Sequence, residues 1–284
     1  MKSVKGLLFG TAGVPVSTPK RGSIEGIVRV RELGLDAMEL EFVYGVRMSD
    51  SLAQRVRKVA EEADVVLTAH APYYVNLNSP EPEKVEASIK RILDTARVTY
   101  KVGGWSIVFH AAYYGEDEPQ VVYNRVKESL EGIMATLKDE GVEVWVRPET
   151  AGGLAEFGSL EEVVRLSEEI EGVLPCVDFA HLHARSIGGY NTYEEIASIF
   201  ELLEERLGKE CLKNMHMHFS GIEYGEKGEI KHLNLEESDF NYQDLVKALK
   251  DFKIEGVIIS ESPNIEGDAL LLKKLYSRAR RGRG

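Results

Sequence analysis

The chain has 284 residues, 43% of them hydrophobic, and a formal net charge of −12. That length and apolar share suit one large core of the size of an α/β barrel, while the acidic balance excludes attraction to nucleic acid through bulk charge; such binding would need a local basic or metal-bearing face. No stretch approaches the roughly 18 apolar residues of a membrane span, the N-terminal apolar run is too short for a signal peptide, and Cys176 and Cys211 read as reduced thiols, so a cytoplasmic protein away from membranes is expected.

Short β-rich runs alternate with amphipathic stretches along the whole chain. Strands are expected at 6–10, 37–42, 65–71, 105–110, 143–148, 174–178, 215–219 and 256–260. Helices are expected at 24–33, 51–63, 82–102, 121–140, 160–169, 193–207, 242–249 and 267–280, where charges recur on one face and Leu, Val and Ile on the other. Strict alternation implies a parallel sheet, and eight units imply closure, so the fold expected is α/β, a single (β/α)8 TIM barrel spanning 1–284. The longest irregular segment, 220–239, follows the seventh strand, and loops of that length are often functional. The tail 278–284 is basic and reads as a frayed end or an auxiliary phosphate contact.

All seven histidines fall at predicted strand ends or in the loops just after them. A parallel barrel brings its strand C-termini to one face, so residues far apart in sequence meet there. His70 and His110 close apolar strands at equivalent places. Glu149 follows Val-Trp-Val-Arg-Pro and precedes small residues, which leaves room for a ligand or metal; a helix-capping glutamate, or a salt-bridged one with Arg147 as partner, is the plainer alternative. Asp178 and His181 are three apart and can face one pocket, with His183 a weaker candidate. Strand periodicity puts His216 and His218 on one face, with His218 at the mouth and His216 deeper, as a hydrogen-bonded partner. Glu261 ends the eighth strand. Imidazoles mixed with carboxylates are ligands preferred by zinc, so a clustered site with more than one ion is expected.

The ordered set of motifs resembles the endonuclease IV family of apurinic/apyrimidinic endonucleases, within the xylose-isomerase-like barrels. The matching strings are Ala-His-Ala-Pro-Tyr-Tyr-Val-Asn-Leu at 69–77, Phe-His at 109–110 and Pro-Glu-Thr-Ala-Gly at 148–152. Asp-Phe-Ala-His at 178–181, Met-His-Phe-Ser at 217–220, Lys-His at 231–232 and Ser-Glu-Ser-Pro at 260–263 complete the series. The resemblance implies zinc ions at the barrel mouth. His70, His110 and Glu149 would hold the first; Glu149, Asp178, His218 and Glu261 the second; His181 and His232 the third. It also implies hydrolysis of double-stranded DNA on the 5′ side of abasic sites, with Glu149 and Glu261 orienting the attacking water, by a monomer. Tyr73 and Tyr74 would wedge into the duplex and Arg47 would enter a groove, a physically reasonable way of bending DNA. The chain departs from the pattern at one place. The acidic residue two before the late histidine is replaced by Ile230, which cannot ligate. Two ions are therefore expected, with the third dependent on whether the neighbouring Glu229 shifts into place or His183 compensates.

Two other readings share part of this pattern. A sugar isomerase or epimerase of the same barrel type would need only Glu149, Asp178, His218 and Glu261, around one manganese or magnesium. A member that binds DNA or phosphate without cleaving abasic sites would fit Ile230.

Overall fold

The computed structural model describes residues 4–279, so of the basic tail 278–284 only Arg278 and Ala279 fall within it. Eight parallel strands form the barrel: β1 (Leu7–Ala12), β2 (Ala37–Glu41), β3 (Val66–His70), β4 (Ser106–Phe109), β6 (Trp145–Pro148), β8 (Cys176–Asp178), β9 (Met215–Phe219) and β12 (Gly256–Ser260). Their order is β6-β4-β3-β2-β1-β12-β9-β8. The two ends meet through parallel bridges, Val146 to Val173 and Glu149 to Cys176, which close the ring. The short strands buried on both faces read as near-continuous apolar runs for that reason. Gly256 has φ 124°, and a Cβ there would lie 1.9 Å from the Met215 carbonyl oxygen, so only glycine lets β12 enter beside β9.

The helices are α1 (Ser23–Glu32), α2 (Asp50–Ala63), α3 (Pro82–Lys101), α4 (Pro119–Asp139), α5 (Leu160–Glu169), α6 (Phe179–Arg185), α7 (Tyr193–Leu207), α8 (Lys209–Leu212), α9 (Tyr242–Asp251) and α10 (Glu266–Arg278). Local chemistry explains several starts. Ser159 with Glu162, and Thr192 with Glu195, form capping boxes that satisfy otherwise orphaned N–H groups. Proline opens α3 and α4, where its missing N–H costs nothing. Their apolar faces, Val56, Ile92, Ile133 and Phe200 among them, are buried. No helix among the described residues is long and apolar enough to cross a membrane. Cys176 and Cys211 are free and buried.

Two expectations are corrected here. The alternation of eight helices with eight strands is broken by α6 and α8; α6 follows β8 immediately because the Asp178 side chain caps it, accepting from the His181 N–H at 2.7 Å. His181 and His183 are thus helical rather than loop residues. The segment 220–239 is not irregular either. It is a hairpin of β10 (Gly221–Gly225) and β11 (Gly228–Leu233), followed by a 3-10 turn at Leu235–Glu237. Gly225 pairs with Gly228 around a two-residue loop, the tightest hairpin connection. A second small ribbon joins β5 (Ala112–Tyr113) to β7 (Glu156–Phe157). Both ribbons stand on the C-terminal side of the barrel.

Candidate metal centre

Glu149 lies just past β6 with its side chain fully buried. Its two oxygens face different neighbours. Oε2 is 3.1 Å from His70 Nε2 and 3.3 Å from His110 Nε2. Oε1 is 3.0 Å from His218 Nδ1 and 3.3 Å from His181 Nδ1. Glu261, just past β12, brings Oε1 to 3.3 Å from His218 Nδ1 and Oε2 to 3.8 Å from His232 Nδ1. His181 Nε2 and His232 Nε2 are 3.1 Å apart. Around Glu149 and Glu261 the ligand atoms fall into three sets, each within 4.8 Å: His70, His110, Glu149; Glu149, Asp178, His218, Glu261; and His181, His232, Glu261; a fourth such set, fully buried, is Cys176, His216 and His218.

Spacing and chemistry both suit cations. Ligands on a tetrahedral zinc, at 2.0–2.2 Å from it, stand about 3.3–3.5 Å from one another, whereas charged N–H···O bonds close to about 2.7–2.9 Å. Six of the seven mouth distances given above are 3.0–3.3 Å, a range that runs from hydrogen-bond contact up to the wider value. Asp178 Oδ2 is buried with no hydrogen-bond partner. An unpaired buried carboxylate oxygen is costly unless a cation meets it.

The charges are strongly coupled to this packing. Burial would raise the Glu149 carboxyl, but the imidazoles of His110 and His218 hold it well below the usual range. His70 is pushed up to about 10 against its burial, through its bond to Glu149. His232 is pushed up to about 9 against its burial, by Glu229. Burial raises Asp178 to about 6 and lowers His110. Without a metal, His70 and His232 are therefore protonated at neutral pH, and ligation must displace those protons. Adding zinc chloride to ion-free protein in weak buffer at pH 7 is expected to release protons, measurable with a pH indicator. The folded pKa values of both histidines lie above the unfolded value near 6.5. Their contribution to stability is thus fully present below pH 6.5 and is lost as pH rises through about 9 and 10. The melting temperature in chelator should fall across that window, and saturating zinc should remove the fall.

Residues 27–279 match the family described as xylose isomerase-like TIM barrel. The chain belongs to that family. An uncharacterised protein of Methanocaldococcus jannaschii is 47% identical over 271 residues, 95% of this chain and 97% of its own. A probable endonuclease 4 of Mycoplasma pneumoniae is 26% identical over 204 residues, 70% of this chain and 68% of its own. Among solved structures, endonuclease IV from Thermus thermophilus superposes with TM-score 0.72 at 21% identity, covering 94% of this chain and 97% of that one. A D-tagatose 3-epimerase-like protein gives 0.71 at 18% identity, covering 95% and 96%. These two likenesses show the fold alone.

Within this family barrel, the eight residues singled out as ligands in the sequence converge on one mouth. The residue at the point of departure behaves differently from a simple loss. In the hairpin, Glu223 pairs with Lys231 and Tyr224 with Glu229, so Ile230 is an extra, bulged residue, and its side chain is 59% exposed. The bulge turns Glu229 onto the face of His232. Its oxygens lie 3.3 Å from His181 Nε2 and 3.3 Å from His232 Nε2. Those histidines hold its carboxyl down to about 2 although burial opposes this. His183 does not compensate for Ile230: it points away, with Nδ1 2.8 Å from the Gly189 carbonyl and Nε2 3.1 Å from Asp239 Oδ1.

His216 is the deeper, hydrogen-bonded histidine expected, and His218 is the one at the mouth. The alternative pairing of Glu149 with Arg147 fails. Arg147 points to the opposite end of the strand, where it bonds Ser106, the Pro175 carbonyl and Asn214. Arg47, Tyr73 and Tyr74 are exposed on loops after β2 and β3, with Tyr73 and Tyr74 hydroxyls 2.9 Å apart. Tyr44, 74% exposed, extends this aromatic rim edge-on to Tyr73 and was not singled out in the sequence. Two carboxylates were also missed. Glu39 lies fully buried against His216 and His218. Glu41 reaches the open mouth, yet the protein crowded around it, and then the charge of Glu39, push it up to about 8. Their signal was present: two acids spaced by two in the otherwise apolar run Ala-Met-Glu-Leu-Glu.

Proposed function

We propose that the protein is a zinc-dependent endonuclease that hydrolyses the DNA phosphodiester on the 5′ side of abasic sites. The observation that carries this reading is the split loyalty of Glu149. Its oxygens serve two ligand sets at once, and a third set stands beside them. A one-ion sugar site would use Glu149, Asp178, His218 and Glu261 and leave His70, His110, His181 and His232 without a task. Low-identity relatives described as probable endonuclease 4 agree with the reading.

Zinc held by these residues would supply a water acidified toward neutral pH and positive charge facing a phosphate. Glu261, which belongs to both the second and third sets, would hold and orient the attacking water. Bound cations would offset the buried carboxylates, so the mouth could accept a phosphate although the whole chain is acidic. Tyr44, Tyr73 and Tyr74 offer ring faces to an opened base stack, and Arg47 adds a cation. An abasic sugar turns out of the stack at little cost because no base is unpaired.

The test is a duplex oligonucleotide with one abasic analogue and zinc-loaded protein. Incision 5′ to the lesion, leaving a 3′-hydroxyl, supports the reading. Folded, zinc-loaded protein that leaves the duplex intact overturns it; ketose epimerisation with manganese would then give the sugar reading in its place. The double change Tyr73→Ala, Tyr74→Ala is expected to weaken binding of abasic duplex by about 10–100-fold, from a stacking loss of about 1–3 kcal/mol per base. It should leave zinc content unchanged. Fluorescence anisotropy and metal analysis read both.

A further inference from the structure

The third ligand set is drawn from two separate elements. His181 stands on α6, while Glu229 and His232 stand on β11. A polar cluster that the proposed reaction does not use joins α6 to the same hairpin. His183, two residues after His181 and fully buried, sets Nδ1 2.8 Å from the Gly189 carbonyl oxygen and Nε2 3.1 Å from Asp239 Oδ1. The other carboxylate oxygen of Asp239 accepts from the Tyr224 hydroxyl of β10 at 2.8 Å. The Tyr224 ring stands edge-on to His183, with 5.0 Å between centroids.

The parts of this cluster are fitted to one another. Gly188 has φ 95°, and a Cβ there would lie 3.0 Å from the Tyr224 hydroxyl, so glycine lets the phenol close in. Asn191 Nδ2 donates to the Asp239 carbonyl at 2.9 Å, and Asn191 Oδ1 accepts from the Asn241 N–H at 2.6 Å, which holds the chain at and just after Asp239. Ile222 of β10 packs on Ala180 and Ala184 of α6, with Tyr224 against them. Tyr224 is also the cross-strand partner of Glu229, at the place where the register of the hairpin shifts. A bulge disrupts the ladder locally, so pairing alone holds that point less firmly than a regular ladder would. A tether on Tyr224 fixes the strand position opposite Glu229.

We propose that His183, Asp239 and Tyr224 are positioning residues that form a clasp, docking the hairpin on α6 and assembling the third ligand set before its ion arrives. The inference rests on the reading of that set as a zinc site. The apparent affinity of a site falls with the fraction of molecules in which its ligands are already assembled. The clasp raises that fraction, so His183 serves the site through the hairpin and not as a ligand.

Three variants test this. Tyr224→Phe keeps the ring and removes one bond. Asp239→Leu removes both bonds at similar size. Asp239→Asn can restore both, because its amide oxygen accepts from Tyr224 and its N–H2 donates to His183 Nε2, while Nδ1 keeps the proton it gives to Gly189. In zinc-free protein, hydrogen exchange of the β10 and β11 amides should quicken about tenfold in Tyr224→Phe and Asp239→Leu, as losing a bond to a carboxylate implies. It should stay near the wild-type rate in Asp239→Asn. Competition with a chromophoric chelator should show one zinc, and only one, bound about tenfold more weakly in the first two variants. In a Glu229→Ala background, Tyr224→Phe should weaken no zinc further. Unchanged hairpin exchange in Tyr224→Phe and Asp239→Leu would overturn the inference, and so would zinc ions all weakened alike. Asp239→Asn as weak as Asp239→Leu would also overturn it, since the charge of Asp239 and not its bonds would then act. A wild type that binds no third zinc defeats the reading of the set instead, and the exchange rates still decide whether the clasp holds the hairpin.

Discussion

Glu149→Gln is expected to abolish incision of abasic duplex, with kcat/KM falling by about a thousandfold or more and bound zinc falling by at least one equivalent. The amide keeps the shape but only one acceptor oxygen. It can face His70 and His110 or face His218 and His181, not both pairs. On the proposed reading, losing this carboxylate would remove a charge of −1 shared by two ligand sets and leave one set a member short. A transition-state loss of several kcal/mol follows from a misplaced ion, each 1.36 kcal/mol being tenfold in rate. Kinetics on zinc-loaded variant and wild type, with metal analysis of the same samples, give the result. A Glu149→Gln variant that retained full zinc and near-normal rates would remove Glu149 from the centre of the site.

The barrel was legible because its signal is redundant. Strands β3, β9 and β12 are short apolar runs between long amphipathic helices, and eight such alternations leave few other topologies. The ligands were legible for a related reason. Imidazoles and carboxylates at the ends of apolar strands stand out against their neighbours, and barrel closure gathers them without further information. What the sequence concealed was side-chain direction within polar runs. Glu39 lies in the expected strand 37–42, but that it turns inward onto His216 and His218 depends on the barrel register, which the sequence does not display. α6 was hidden because Asp178 serves both as a candidate ligand and as the cap of the helix that carries His181. The hairpin β10–β11 was hidden because its pairing is broken by a bulge, so the alternation that announces a strand is out of phase across Ile230.

That bulge leads to a second large effect. In the endonuclease IV pattern an acidic residue stands two before the late histidine, and i, i+2 residues of a regular strand share a face. Here one residue more separates Glu229 from His232, and the bulge absorbs it. The hairpin is held at this point by backbone contacts. Glu229 N–H donates to the Gly152 carbonyl at 3.1 Å, and a Cβ on Gly228 would lie 2.2 Å from that same oxygen. A Cβ on Gly152 would meet Glu229 Oε2 at 2.5 Å. The carboxylate is thus seated against the β6–α5 loop, between His181 and His232. Glu229→Ala should cost one bound zinc, with a fall in affinity beyond the roughly 10–100-fold seen when an outer partner is lost. Deleting Ile230 should preserve that zinc, because Glu229 then stands two before the histidine in an unbroken ladder. Ile230→Asp should add nothing, since that side chain points to solvent. Zinc counted by mass spectrometry in the three variants distinguishes a site made by the bulge from one that ignores it. Full zinc content in Glu229→Ala would show that the third set closes with Glu261 alone.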